Sequence, residues 1–222
     1  MNEKLLLIPI LLPALASLGI LFLPFRSRFL RCAFILFATS LNTAVILALA
    51  LNTPAETLVI FHLSQTLSFS LLLDRAGAAF SVLMACLWPL TTLYAFEYMA
   101  HEEQERPFFA WFTLTYGVTA GVAMAANLLT LYFFYELLTL TTLPLVMHSM
   151  DGKARYAGRQ YLIYAVGGAS CAFVAIAFTV FHGGSGDFAP GGILPMSLPV
   201  SRDMLCGFYM AGFLGFGDKA AM

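Results

Sequence analysis

The chain alternates long apolar runs with short polar connections, and the runs have the length of membrane-spanning helices. A helix needs about 20 predominantly apolar residues to cross the hydrocarbon core of a bilayer. We therefore predict an all-α, polytopic transmembrane helix bundle with about seven segments, at residues 5–23, 29–51, 76–98, 108–126, 127–150, 158–181 and 203–222. The connection 52–70 is more polar, and its stretch TLVIFHL favours β structure.

Composition supports a membrane protein and excludes several other classes. Of the 222 residues, 60% are hydrophobic and only 10% are charged, which no soluble domain of this size shows. The expected surroundings are lipid, and the chain is predicted to be one transmembrane domain over residues 1–222. A net charge of -1 without a basic patch gives no reason to expect nucleic acid as a partner.

The distribution of basic residues predicts the orientation of the spans. With an external N-terminus, the inner loops hold Arg26, Arg28, Arg31, Arg106, Lys153, Arg155 and Arg159, and the outer segments hold Lys4, Arg75 and Arg202. Inner loops of membrane proteins carry the excess of Lys and Arg. We predict a multi-pass protein of a prokaryotic inner (cell) membrane with its N-terminus outside. The acidic run in 97–106 is predicted to be a solvated surface, and the sequence DGKARYAGR a basic turn.

No motif for a metal, a cofactor or redox chemistry is visible. The four cysteines form no CxxC pair and the four histidines show no ligand spacing. Neither GxGxxG nor a phosphate-binding glycine loop occurs. The prediction is that this chain binds no metal or cofactor and has no redox chemistry of its own.

One carboxylate stands near the middle of the fifth apolar run. Glu136 follows Asn127 by nine residues, roughly 14 Å along a helix, and shares one stripe with Tyr132, Tyr135 and Thr139. An ionisable group at this depth indicates a proton-relay carboxylate facing a wet interior. The alternative is a packing face on which a protonated carboxyl is hydrogen-bonded to a neighbour.

Two further polar features lie in the last two runs. The sixth begins with Tyr156, Gln160 and Tyr164 at helical spacing, a stripe that either faces Glu136 or serves packing alone. The seventh carries Asp218 and Lys219 after three glycines, Gly212, Gly215 and Gly217, which favour a bend or an unwound turn near the lysine. Lys219 is either a buried proton carrier or an end residue that snorkels to the inner surface.

Four stretches together resemble a known family. LLLDRAGAAFSVLMACLWPLTTLYAFEY, NLLTLYFFYELLTLTTLPLV, RQYLIYAVGG and GFLGFGDKAAM are similar, in order and spacing, to segments of the antiporter-like subunits of respiratory complex I (NADH-quinone oxidoreductase), Mrp-type cation/proton antiporters and membrane-bound hydrogenases. The opening stretch LLIPILLPALASLGILFLP leans weakly towards the Mrp-like and hydrogenase-like branches.

The resemblance implies roles for particular residues. Glu136 matches the family's fifth-span glutamate and Lys219 its seventh-span lysine, a pair that carries proton translocation. Tyr132, Thr139, Gln160, Tyr164 and Asp218 are candidate pathway or modulating residues. Two departures matter: Gln160 replaces a lysine of many members, and Asp218 replaces an apolar residue and could hold Lys219 charged.

The resemblance also predicts how the chain is organised. Residues 1–106 correspond to three leading helices, and 107–222 to an incomplete first repeat of two inverted five-helix repeats. An amino-terminal fragment is therefore expected. The expected function is translocation of protons, or of Na⁺ and protons, within a larger complex of integral-membrane subunits. The alternatives are a non-conducting structural or assembly subunit and, less favoured, an unrelated solute transporter.

Overall fold

A computed structural model describes residues 3–52, 56–64, 67–189, 191–195 and 199–220. Within them the α-helices are α1 (Ile8–Phe22), α2 (Arg28–Leu51), α3 (Arg75–Tyr98), α4 (Glu105–Ala123), α5 (Leu128–Val146), α6 (Gly152–Gly183) and α7 (Arg202–Gly217); β1 (Leu58–His62) and β2 (Ser68–Leu71) form the strands; and 3₁₀ turns occupy Glu3–Leu7, Met99–His101 and Asp218–Ala220. The all-α polytopic fold class is confirmed. Residues 221–222 of the predicted seventh span lie outside the described residues.

Polar side chains begin most of these helices. A cap from Ser27, Asp74, Asn127, Asp151 or Ser201 accepts a hydrogen bond from a backbone N–H of the first turn of α2, α3, α5, α6 and α7, respectively. The cap on α6 corrects one prediction. The Asp151 side chain accepts from the Ala154 N–H at 2.6 Å, so the sequence DGKARYAGR forms the first turns of α6 and is not a separate turn.

Five helical segments are long and apolar enough to cross a membrane, namely Glu3–Phe22, Arg28–Leu51, Arg75–His101, Leu128–Val146 and Gly152–Gly183. The other two predicted spans, α4 and α7, are not among these five segments, and the reason is different for each. α4 buries many of its residues against other helices, where threonine, tyrosine and glycine are tolerated. α7 has 16 residues, about 24 Å of helix, which is short of a hydrocarbon core about 30 Å thick. The protein is a multi-pass membrane protein.

The hairpin closes one end of the bundle. β1 and β2 are antiparallel, with Leu58 opposite Leu71, in agreement with the β character of the connection 52–70. The Asn127 amide, at the start of α5, donates to the Ser68 carbonyl and to Ser70 Oγ, both at 2.8 Å. The hairpin is thereby fixed to the helix that carries Glu136.

Charged residues close the opposite end. Arg28 Nε donates to Glu105 Oε1 at 2.9 Å, and Arg31 donates to Glu105 Oε2. Arg28 also donates to the Phe96 carbonyl at 2.5 Å. Glu105 is only 8% exposed. The prediction of a solvated acidic run is therefore wrong for Glu105, because two arginines of α2 compensate its burial.

Candidate functional site

Glu136 lies at the centre of α5, and its stripe lies against α6 and α7. The Tyr132 ring packs on Phe173 of α6, with 5.5 Å between the ring centroids. The Tyr135 hydroxyl donates to the Gly215 carbonyl of α7 at 2.6 Å. The stripe that helical periodicity defines is thus the surface on which the last two helices pack.

Lys219 reaches this surface from the 3₁₀ turn that follows α7. Its Nζ donates to the Tyr135 carbonyl at 2.7 Å and to Thr139 Oγ1, and it lies 4.3 Å from the centre of the Tyr135 ring. Three contacts with one turn of α5 hold the ammonium inside the bundle. This position differs from a snorkelling lysine, which would extend away from the helices.

Glu136 and Lys219 come close without forming an ion pair. Glu105 pairs with Arg28 and Arg31 within 4.0 Å, and no such pair joins Glu136 to Lys219. Glu136 is partly buried, and its Oε1 is shielded from solvent without a hydrogen-bond partner in the described part of the chain. Lys219 is still near enough to act on it electrostatically. The carboxyl and the ammonium therefore interact electrostatically on one surface without forming an ion pair.

The sequence predicts a bend or an unwound turn near Lys219, and no unwound turn occurs within α7. α7 continues through Gly212, Gly215 and Gly217, and the backbone tightens into a 3₁₀ turn only at Asp218. The glycines permit close packing instead: a Cβ on Gly215 would overlap backbone atoms of α6, and one on Gly212 would lie 3.0 Å from the Ala175 Cβ. Small residues here bring α7 close to α6, and through it Lys219 to α5.

Asp218 does not pair with Lys219. Its side chain packs on α6, where a Cβ built on Gly168 would lie 2.8 Å from the Asp218 Cβ. No ion pair joins it to Lys219 in the part of the chain that the structure describes. The Lys219 ammonium therefore bonds to the Tyr135 and Thr139 oxygens and not to the adjacent carboxylate of Asp218.

The polar stripe of α6 does not face Glu136. Tyr156 and Tyr164 are 66% and 68% exposed, and Gln160 donates to the Tyr156 hydroxyl at 3.1 Å. The polar link between α5 and α6 is instead made by Thr142 and Tyr161, whose hydroxyls are 2.7 Å apart. Sequence reasoning missed this pair because it followed the neighbouring positions 160 and 164.

No group of three or more His, Cys, Asp or Glu side chains within the described ranges is placed to hold a metal ion. The polar groups that do converge are one carboxyl, one ammonium and several hydroxyls and carbonyls. Such a set can accept, hold and pass on a proton.

The chain is similar in sequence to a known antiporter subunit. No family model matches the chain. The Na(+)/H(+) antiporter subunit A1 of Staphylococcus aureus (strain JH9) is 31% identical over 106 residues, which are 47% of this chain and 13% of that protein, and the same subunit from strain Newman matches equally.

Two solved structures share the fold over almost the whole chain. The membrane-bound sulfane sulfur reductase, an archaeal respiratory membrane complex, superposes with a TM-score of 0.79 at 16% identity, covering 97% of this chain and 44% of the matched chain. Respiratory complex I from Thermus thermophilus gives a TM-score of 0.75 at 20% identity, covering 96% and 43%. The chain is thus similar to an antiporter subunit over about half its length and shares the fold of a subunit in each of these two respiratory complexes. It spans less than half the length of these relatives.

Proposed function

We propose that the chain is a proton-translocating subunit of a larger membrane complex of the complex I, hydrogenase or Mrp type, moving protons or exchanging Na⁺ for protons. The supporting observation is the carboxyl of Glu136 at the centre of α5, with a buried oxygen that has no partner in the described residues. A buried carboxyl is tolerated in a membrane where it serves an ion or proton path. Lys219 on the adjoining surface is the second group of the path.

The proposed step is a change in the distance between the two charges. With Lys219 on the Tyr135 carbonyl and Thr139, an ionised Glu136 helps to keep the ammonium protonated. The two groups form no ion pair within 4.0 Å, so this attraction is weaker than that of a direct ion pair. When Glu136 is protonated or turned away, that attraction is lost and Lys219 gives up its proton more readily. Tyr132 and Thr139 line the route between the two groups, and Gln160, Tyr164 and Asp218 are outer modulating positions.

Substitution of the glutamate in the intact complex tests the proposal. In inverted vesicles of the native membrane, Glu136→Gln should abolish most of the proton uptake that a fluorescent pH probe reports, while the complex still assembles. Glu136→Asp should keep part of the uptake. Glu103→Gln, which changes an exposed carboxylate in the loop before α4, is the matched control and should pump normally.

Normal proton uptake by an assembled Glu136→Gln complex would contradict the proposal. It would favour the second candidate function, a structural or assembly subunit that conducts nothing. One observation supports that candidate: Lys219 is fixed by Tyr135 and Thr139 rather than by Glu136. Under either function we propose other integral-membrane subunits and the lipid of a prokaryotic cell membrane as partners. We propose that any redox cofactor of the complex belongs to those other subunits.

A further inference from the structure

A second buried polar cluster lies among the leading helices, separate from the surface around Glu136. Its centre is Tyr116 of α4, which is fully buried. The Tyr116 hydroxyl lies 3.0 Å from Thr43 Oγ1 of α2. The Trp88 ring of α3 stacks on the Tyr116 ring, with centroids 4.8 Å apart and planes inclined by 7°. Three helices therefore meet at one tyrosine.

Polar atoms of this cluster lack partners. Asn42 of α2 is fully buried, and neither its Nδ2 nor its Oδ1 has a hydrogen bond to any described residue. The same holds for the buried indole Nε1 of Trp88. The Asn42 amide lies beside the Tyr116 hydroxyl, but that contact falls outside hydrogen-bond geometry. The cluster thus presents both free donors and a free acceptor.

Described protein groups near Asn42 and Trp88 do not provide the missing hydrogen bonds. The Thr43 hydroxyl is already engaged: it lies 3.0 Å from the Thr39 carbonyl, 2.9 Å from the Ala85 carbonyl and within hydrogen-bond distance of Tyr116. Buried amide and indole groups in folded proteins are almost always hydrogen-bonded, to protein or to ordered water. A small polar ligand between α2, α3 and α4 would satisfy these groups.

We propose that ordered water binds in this cluster, bonded to the Asn42 amide, the Trp88 indole N–H and the Tyr116 hydroxyl. Water both donates and accepts, and a buried water commonly makes about three hydrogen bonds. A metal cation fits less well, because the indole N–H and the amide Nδ2 present hydrogens to it. The bound water would join α2 to α3 and α4 within the apolar core formed by Ile46, Met84 and Ala120.

The hydrogen bond on the indole can be observed directly. The chain has two tryptophans, so Trp111→Phe leaves Trp88 as the only one, and ultraviolet resonance Raman spectra then report whether its N–H is bonded. We expect a bonded indole. Adding Asn42→Leu should remove the bond, because the leucine fills the site, whereas Asn42→Ala should keep it, because the smaller side chain leaves room for water.

Two spectral outcomes would overturn the proposal. An unbonded indole in Trp111→Phe would show that nothing polar occupies the site. A bond lost equally in Asn42→Leu and Asn42→Ala would show that Asn42 itself pairs with Trp88. The first outcome needs no substitution within the cluster, so it decides the question even if the Asn42 variants fail to fold.

Thermal unfolding adds a second test, in which the direction of the change in Tm distinguishes the two cases. If Asn42 is hydrated, Asn42→Leu removes bonds of the water and should lower Tm by at least about 2 °C. If the amide is truly unpaired, the same change relieves a buried polar group and raises Tm, against the proposal. The effect should depend on Trp88→Phe in a double-mutant cycle but not on Trp111→Phe, the matched control. Equal coupling to both tryptophans would also contradict the water site.

Discussion

Two carboxylates of this bundle, the buried Glu105 and the partly buried Glu136, have opposite surroundings. Glu105 begins α4 at the end of the bundle and accepts hydrogen bonds from Arg28 and Arg31. Glu136 occupies the centre of α5, and its buried Oε1 meets no donor among the described residues. Lys219, the cation that acts on it electrostatically, bonds to the Tyr135 carbonyl and to Thr139 instead.

The difference separates a structural carboxylate from a candidate functional one. Two guanidinium groups compensate the desolvation of Glu105, and through them α4 is held to α2. Glu136 lacks such compensation. An ionisable side chain without a compensating partner is costly inside a membrane, and its presence there indicates a functional role. The absence of a fixed partner, rather than burial of charge alone, is therefore the reason to propose Glu136 as the functional carboxylate.

The largest effect on stability should follow from removal of the paired carboxylate. Glu105→Gln removes the charge between two arginines and should destabilise the protein by about 2–4 kcal/mol, because breaking a buried pair leaves the remaining charges uncompensated. The Arg28 side chain is 46% exposed and keeps part of its hydration. We therefore expect a loss of stability near the lower end of this range. The measurement is thermal unfolding of the purified protein in detergent.

Glu103→Gln is the control for that experiment, because Glu103 is exposed and only two positions away. It should change stability by less than about 0.5 kcal/mol. An equal effect of the two substitutions would mean that the arginine pairing does not hold α4 in place.

Much of the fold could be predicted from the sequence, because apolar runs and helical periodicity are local signals. They gave the helical bundle and placed Tyr132, Tyr135, Glu136 and Thr139 on one stripe, the stripe that the structure sets against α6 and α7. The stretch TLVIFHL likewise indicated β structure where β1 is found.

The rest depends on contacts between distant parts of the chain. Glu105 and Arg28 are 77 positions apart, so the acidic run looked solvated when read alone. In sequence, the three glycines of α7 are as consistent with a helix break as with close helix packing. The position of α6 shows that they serve close packing. The same limit applies to the Thr142–Tyr161 link, which requires the relative rotation of two helices.

A second prediction concerns the packing that brings Lys219 to α5. Gly215→Ala should destabilise the protein by about 1–3 kcal/mol, because the added Cβ meets backbone atoms of Ala172 and Gly168 on α6. Gly207→Ala is the matched control on the same helix, since nothing lies within 4 Å of a Cβ there. It should be neutral or stabilising, by up to about 1 kcal/mol of helix propensity. Thermal unfolding of the two variants tests this difference. If the Gly215→Ala protein is as stable as the Gly207→Ala protein, α7 does not pack closely on α6 at Gly215.

A smaller effect is expected at the hydroxyl beside the lysine. Tyr135→Phe removes the hydrogen bond to the Gly215 carbonyl, which is 2.6 Å long, but keeps the ring and the backbone carbonyl that binds Lys219. The loss should be about 1 kcal/mol in thermal unfolding. Tyr164→Phe changes an exposed hydroxyl of α6 and is the control, with no expected loss. If both variants unfold alike, the Tyr135 hydroxyl contributes no stabilising bond to α7.

The smallest effect on stability should come from the carboxylate proposed to matter most for function. Glu136→Gln keeps the shape of the side chain and removes a charge whose buried oxygen has no partner in the described residues. Nothing is left uncompensated, because Lys219 retains the Tyr135 carbonyl and Thr139. We therefore expect a change in unfolding free energy within about 1 kcal/mol and of either sign, in contrast to Glu105→Gln. Thermal unfolding of both variants in the same detergent tests the contrast. A destabilisation by Glu136→Gln as large as that by Glu105→Gln would show that Glu136 is fixed in an ion pair, and the distinction between the two carboxylates would fail.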